Sequence, residues 1–211
     1  MSGKIRIIGL TGNTGSGKTT AAEIFRESGF SVLDADAVSR SLLEPDGECL
    51  EPVLERFGRD LLLPDGTLDR KRLGGIVFSD PEERAALNAI VHPEVIRRME
   101  DETRRILEAD PEARVVQDVP LLFECGMDRG TDWNVFVYAP DRDRLERIML
   151  RDGCSREAAL ERMNAQDGQR EKMLKSDEVL YNDGTLEDLQ RRTERLIRFL
   201  PLMERRIWKT R

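Results

Sequence analysis

Gly12-Asn13-Thr14-Gly15-Ser16-Gly17-Lys18-Thr19 has the spacing G-x-x-x-x-G-K-[ST] near the start of a 211-residue chain. Each residue type in that pattern has a task around a triphosphate. The glycines take backbone angles that turn N–H groups inward toward phosphate oxygens. Lys18 brings a point charge to the β- and γ-phosphates, and Thr19 brings a hydroxyl to Mg²⁺. A helix opening at the loop adds the positive end of its dipole. The expected nucleotide-binding residues are therefore Thr14, Gly15, Ser16, Gly17, Lys18 and Thr19, with ATP and Mg²⁺ as the bound species and Thr19 as a metal ligand. The loop alone does not choose among ATPases, GTPases and kinases. The sequence holds no N-K-x-D tetrapeptide of the kind that reads guanine, and the loop ends in Gly-Lys-Thr, not the Gly-Lys-Gly-Thr of an adenylate-kinase type loop.

Two carboxylates come next. Asp34 and Asp36 fall at the end of the second apolar run, where ligands of a parallel sheet collect. Residues two apart on a strand point the same way, so the pair could share one side of a cleft. One could then accept or orient a substrate hydroxyl proton. The other reading of the spacing is that one aspartate caps the following helix and the other is solvated. Arg144, Arg147 and Arg151 stand at i, i+3 and i+7 of an expected helix 141–152, and form either a solvated stripe or a group aimed at developing phosphoryl charge. Residues 151–175 add Arg156, Arg162, Gln166, Arg170, Lys172 and Lys175 to Arg151, a composition that suits a lid over ATP. His92, the only histidine, precedes Pro93. It reads either as a helix cap or packed surface residue, or as a polar contact to substrate. No G-x-S-x-G elbow accompanies it, which argues against a hydrolase triad.

The elements that must position these groups follow from periodicity and punctuation. Ile5–Leu10 is a short apolar run leading into the loop, so it reads as a buried first strand rather than a secretion signal. A helix from Gly17 to about Ser28 stops at Gly29, and Phe30–Asp34 is the second strand. Residues from 36 to about 112 read as helical, with breaks at Pro45-Asp46-Gly47, Pro64-Asp65-Gly66 and Gly74-Gly75. Asp80-Pro81-Glu82-Glu83 is a helix start, with Asp as cap and Pro in the first position; Pro93 is expected to open a further helix. Arg114–Val119 and Trp133–Ala139 are the third and fourth strands, Glu178–Tyr181 a short last one, and Thr185–Leu200 an amphipathic helix capped by Thr185. Strands alternating with helices imply a parallel sheet covered on both faces.

Charged residues make up 36% of the chain and apolar ones 39%, which suits a soluble globular domain. No apolar run reaches the ~20 residues of a membrane span. Net charge is −7, which argues against broad nucleic-acid binding. Residues 191–211 nonetheless concentrate Arg191, Arg192, Arg195, Arg198, Arg205, Arg206, Lys209 and Arg211, as a solvated last helix with its tail or as a phosphate- or RNA-binding segment. Cys49, Cys125 and Cys154 form no CxxC pair, so neither a disulfide framework nor a zinc site is expected, and a reducing, cytoplasmic setting fits. The sequence leaves the oligomeric state open.

Taken in order, the loop, Asp34-Ala35-Asp36, Asp65-Gly66-Thr67-Leu68, the Phe78–Glu83 stretch with Asn88, His92-Pro93, Val119-Pro120-Leu121-Leu122-Phe123-Glu124 and the Arg147–Asp152 helix end resemble the dephospho-CoA kinases. The resemblance covers about residues 5–200. It implies a three-layer α/β/α P-loop NTPase fold with a five-stranded parallel sheet, and transfer of the ATP γ-phosphate to the ribose 3′-hydroxyl of dephospho-CoA. The nucleotide core would be 1–36, 113–152 and 177–211, the helical acceptor subdomain 37–112 and the lid 153–176. Asp36 would be the base or orienting group, Arg147 would stabilise the transferring phosphoryl group, and Lys18 and Thr19 would hold triphosphate and metal. His92, Pro120, Leu121 and Glu124 would line the acceptor side. The chain departs from the family at Asn13-Thr14, where Gly-Ile is common, at Thr19 for Ser, and in its more polar lid, Gln166–Arg170. Other readings of the loop are another nucleoside or nucleotide kinase, or a regulatory P-loop ATPase.

Overall fold

A computed structural model of the chain describes residues 4–166 and 168–207, with side chains as far as residue 202. Asp167 of the expected lid, the side chains of Arg205 and Arg206, and Lys209 and Arg211 lie outside the described residues. Two compact units divide the chain: Met1–Leu33 with Ile106–Arg211, and Asp34–Arg105.

The first unit is built on a five-stranded sheet of order β2-β3-β1-β4-β5. Its strands are β1 (Ile7–Thr11), β2 (Ser31–Asp34), β3 (Val115–Asp118), β4 (Trp133–Tyr138) and β5 (Glu178–Tyr181). β1 lies parallel to both β3 and β4, and β4 parallel to β5. Strand alternation sets the core: Ile8 and Leu10 of β1 join Val116, Val135, Val137 and Leu180 in one buried cluster. Helix α1 (Lys18–Glu27) adds Ala22 and Phe25, and α9 (Leu186–Ile207) adds Leu189, Leu196 and Leu200. Between β4 and β5 run α6 (Asp141–Asp152), α7 (Arg156–Asn164) and α8 (Gln169–Lys175). Leu145 and Ile148 of α6 pack on Ala159 of α7. The order places β1 centrally, with successive connections leaving to opposite sides. The carboxyl end of β1, flanked by the ends of β3 and β4, is therefore the switch point at which such sheets bind ligands.

The second unit is helical: α2 (Ala35–Ser41), α3 (Leu50–Phe57), α4 (Arg70–Ser79) and most of α5 (Pro81–Ala109). Turns fall at 45–47 and at 64–66, where the Asp65 carboxylate accepts from the Thr67 N–H at 3.0 Å. The Asp80 start is as expected, with its Oδ1 accepting from the Glu82 N–H at 2.8 Å. Helices run on past three expected boundaries. Gly74-Gly75, expected to break the chain's helices, lies inside α4; Pro93, expected to open a helix, lies inside α5; and α9 continues beyond its expected end at Leu200, with Pro201 inside it. An interior proline costs about 3 kcal/mol, but apolar stripes continue past or up to each one: Val91, Val95 and Met99 are buried around Pro93, and Leu196 and Leu200 before Pro201. Tertiary burial outweighs the missing donor. No helix among the described residues is long and apolar enough to cross a membrane.

Candidate active site

The loop between β1 and α1 has the shape its residue types demand. Gly15 and Gly17 stand at φ +80° and +91°, and Gly17 is the N-cap of α1. Having no side chain, Gly17 makes no cap hydrogen bond, and the first turn holds no acidic residue. The helix start thus offers its orphan N–H groups and dipole to an anion. Ser16 is buried, and its Oγ has no protein partner. A buried hydroxyl left so costs about 1–3 kcal/mol, and phosphate oxygens would satisfy it.

Lys18 pairs with Asp118, the last residue of β3. Both side chains are largely buried, at 13% and 7% exposed. Asp118 is not among the residues expected from the sequence, although an acid ending an apolar strand beside a phosphate loop is a recognisable metal-side pattern. The Thr19 hydroxyl is on the exposed first turn of α1. Among the described residues no group of three or more His, Cys, Asp or Glu could hold a metal ion. Thr19 and Asp118 suit Mg²⁺, which binds one or two protein oxygens and draws the rest of its shell from phosphates and water.

The arginine stripe divides. Arg144 is buried; its Nε donates to the Thr14 carbonyl at 2.9 Å and one terminal nitrogen to Asp141 at 2.9 Å, while the other has no partner. Burial pulls its guanidinium below the usual arginine range, opposed by Asp141. Arg147 donates to the Gly15 carbonyl at 3.3 Å and the Asn182 carbonyl at 3.4 Å. Arg151 turns outward to Asp152 at 2.7 Å. Asn182, just beyond β5, is buried and donates its amide to the Ser16 carbonyl at 2.8 Å.

The polar segment after α6 reaches the same end of the sheet. Gln166 accepts from the Thr14 N–H at 2.7 Å. The Gln169 amide donates to the Ala139 carbonyl at 3.0 Å and to Asp141 at 2.9 Å. Tyr138, Arg144, Gln166, Gln169, Arg170 and Tyr181 line a cavity of about 690 Å³. Within 120–124, the Pro120 carbonyl accepts from the Thr11 hydroxyl at 3.1 Å. The Leu121 carbonyl accepts from the Cys125 N–H at 3.0 Å, and Glu124 pairs with Lys172 at 2.5 Å.

In the helical unit, Asp34 is the N-cap of α2 and accepts from the Asp36 and Ala37 N–H groups at 2.8 and 3.2 Å. Asp36 therefore sits on the first turn of a helix, exposed, rather than two positions along a strand. Of the two readings of the spacing, the shared strand face does not hold and the helix cap does: Asp34 is the cap, and Asp36 keeps an exposed carboxylate. His92 is a half-buried residue inside α5, and burial lowers its pKa below the ordinary value of 6.5.

Comparison with known proteins bears on this arrangement. The family model for dephospho-CoA kinase matches residues 6–188. A dephospho-CoA kinase of Bacillus licheniformis is 39% identical over 191 residues, which is 90% of this chain and 94% of that protein. A crystal structure from Thermus thermophilus aligns with a TM-score of 0.75 at 41% identity, covering 92% of this chain and 97% of that one. The dephospho-CoA kinase structure from Campylobacter jejuni aligns with a TM-score of 0.62 at 28% identity, with the same two coverages of 92% and 97%.

Proposed function

The chain belongs to the dephospho-CoA kinase family, and we propose a division of labour among its own residues for that reaction. It is an ATP-dependent kinase that phosphorylates the ribose 3′-hydroxyl of dephospho-CoA, giving coenzyme A and ADP. Residues Thr14–Thr19 hold the triphosphate by backbone N–H groups and the Ser16 hydroxyl. The observation that carries this reading is the Lys18–Asp118 pair at the mouth of the loop. The Lys18 ammonium is already directed there, and it exchanges the carboxylate for β- and γ-phosphate oxygens when ATP enters. Thr19 and Asp118 hold Mg²⁺, which neutralises phosphate charge.

Arg147 makes two long hydrogen bonds, to the Gly15 and Asn182 carbonyls, which it exchanges for oxygens of the transferring phosphoryl group. Asp36 accepts or orients the 3′-hydroxyl proton. His92, Pro120, Leu121 and Glu124 serve the acceptor side, His92 as a neutral imidazole. The cavity beside Tyr138 and Arg144 is of the size a nucleoside needs and takes the adenosine of ATP. The free thiols of Cys49, Cys125 and Cys154 agree with a cytoplasmic setting.

Asp36→Asn tests the assignment of the base. ATP binding should persist while turnover falls by ~10²–10⁴, the range for loss of a general base. Isothermal titration with ATP and a coupled ADP assay with dephospho-CoA measure the two. Turnover within a few-fold of the parent would remove Asp36 from the mechanism.

A further inference from the structure

Lys172 is 2% exposed, one of the largest fully buried side chains of the chain. It is part of α8, in the polar segment expected to cover ATP, and nothing in the reaction as described uses it. Its ammonium lies 2.5 Å from Glu124 Oε1 and 3.5 Å from the Pro120 carbonyl. That carbonyl also accepts from the Thr11 hydroxyl at 3.1 Å, at the end of β1. Pro120 follows Asp118 by two residues, and Asp118 holds Lys18. α8 is itself fixed from its first residue, where Gln169 binds the Ala139 carbonyl and Asp141.

A buried ammonium loses several kcal/mol of hydration, and an apolar residue of its size usually fills such a place at no loss of stability. What the ion pair adds is geometry. Lys172 ties α8 to both ends of the 120–124 segment and, through Pro120, to the backbone that carries Asp118. We propose that Lys172 is a positioning residue for phosphoryl transfer. It sets the Asp118 exit and the Pro120–Glu124 segment in register with α8, so that Lys18 and the acceptor side are aligned when the nucleotide is covered. The inference rests in part on the reading of Pro120–Glu124 as acceptor-facing.

The test compares K172M, E124Q and K172M/E124Q by thermal unfolding and by steady-state kinetics with both substrates varied. E124Q should have the lowest Tm, because it leaves a buried ammonium without a counter-charge. The double variant should regain a Tm near the parent's. Its kcat should not recover: K172M and the double should both stay about tenfold or more below the parent, with KM for ATP nearly unchanged, the signature of alignment lost only in the transition state. A double variant whose kcat returns along with its Tm, or a K172M with parental kcat, would overturn the proposal. The acceptor-side reading fails separately: if E124Q leaves KM for dephospho-CoA unchanged, Glu124 does not meet that substrate, and the kcat comparison still decides the role of Lys172.

Discussion

Removing the Asn182 side chain should weaken ATP binding through the support that it gives the phosphate loop. Asn182 is 7% exposed, and its amide donates to the Ser16 carbonyl at 2.8 Å. Its backbone is held independently: the N–H donates to the Tyr138 carbonyl at 2.7 Å, and the carbonyl accepts from Arg147. Substitution therefore deletes only the contact beneath the loop. Losing one partner of a buried hydrogen bond costs about 1–3 kcal/mol. If that cost falls on the Gly15–Lys18 turn, ATP affinity drops about 5–150-fold in Asn182→Ala. Asn182→Asp keeps the volume but sets a carboxylate against a carbonyl, two acceptors face to face, so its loss should be at least as large. Titration calorimetry with ATP reads the effect, and KM for dephospho-CoA serves as the control that should not move. An Asp variant that binds ATP like the parent would show that volume, not the donor, matters. Gly17 sharpens the test. A Cβ there would lie 2.3 Å from the Asn182 Nδ2. Asn182→Ala removes that clash, yet Gly17→Ala/Asn182→Ala should still fall short of Asn182→Ala alone, because φ +91° remains and costs a non-glycine about 1–2 kcal/mol.

Two further perturbations address charge. Asp118→Asn removes the counter-charge of Lys18 and one oxygen proposed for Mg²⁺; the Mg²⁺ concentration giving half-maximal turnover should rise about 10–100-fold, and an unchanged Mg²⁺ titration would remove Asp118 from the metal site. His92 is held neutral by burial, with its folded pKa below the unfolded value of 6.5. Its contribution to stability is then fully present above the unfolded pKa and is lost as pH falls through the lowered folded value. Tm of the parent should fall more steeply than that of His92→Gln only as pH drops below the unfolded value of 6.5, and parallel curves there would refute the burial argument.

The sheet was legible because its signals are local. Ile8 and Leu10 alternate with small residues into a glycine loop, and Glu178–Tyr181 is a strand with the bounds its pattern gives. The helix 141–152 likewise has the predicted ends, with Gly153 at φ +58° closing it. Caps were equally readable, as at Asp80 and at Thr185, whose hydroxyl accepts from the Asp188 N–H at 3.2 Å. Errors came where local punctuation met long-range packing. Gly74-Gly75 reads as a break, Pro93 as a helix start and Leu200 as a helix end, but the apolar stripes through α5 and α9 carry those helices past both prolines. Asp34-Ala35-Asp36 allows two readings, a shared strand face or a helix cap beside a solvated carboxylate; the structure has the cap, and an aspartate followed by a helical pattern is its signal.

The site was legible only where one stretch of chain makes it. Residues 12–19 lie in one turn, and their types state their task without reference to anything else. The groups that tune that turn come from distant sequence: Asp118 from β3, Arg144 and Arg147 from α6, Gln166 from the segment after α7, Asn182 from beyond β5. Each is a common polar residue whose meaning depends on a partner 100 or more positions away, as in the Lys18–Asp118 pair. Lys172 is the extreme instance. On α8 its neighbours Arg170, Glu171 and Lys175 suggest a solvated face, and only the fold reveals a 2% exposed ammonium between Glu124 and Pro120. A charge buried at that cost is a stronger pointer to alignment than any of the exposed ion pairs, which exchange one solvated partner for another at nearly no net energy.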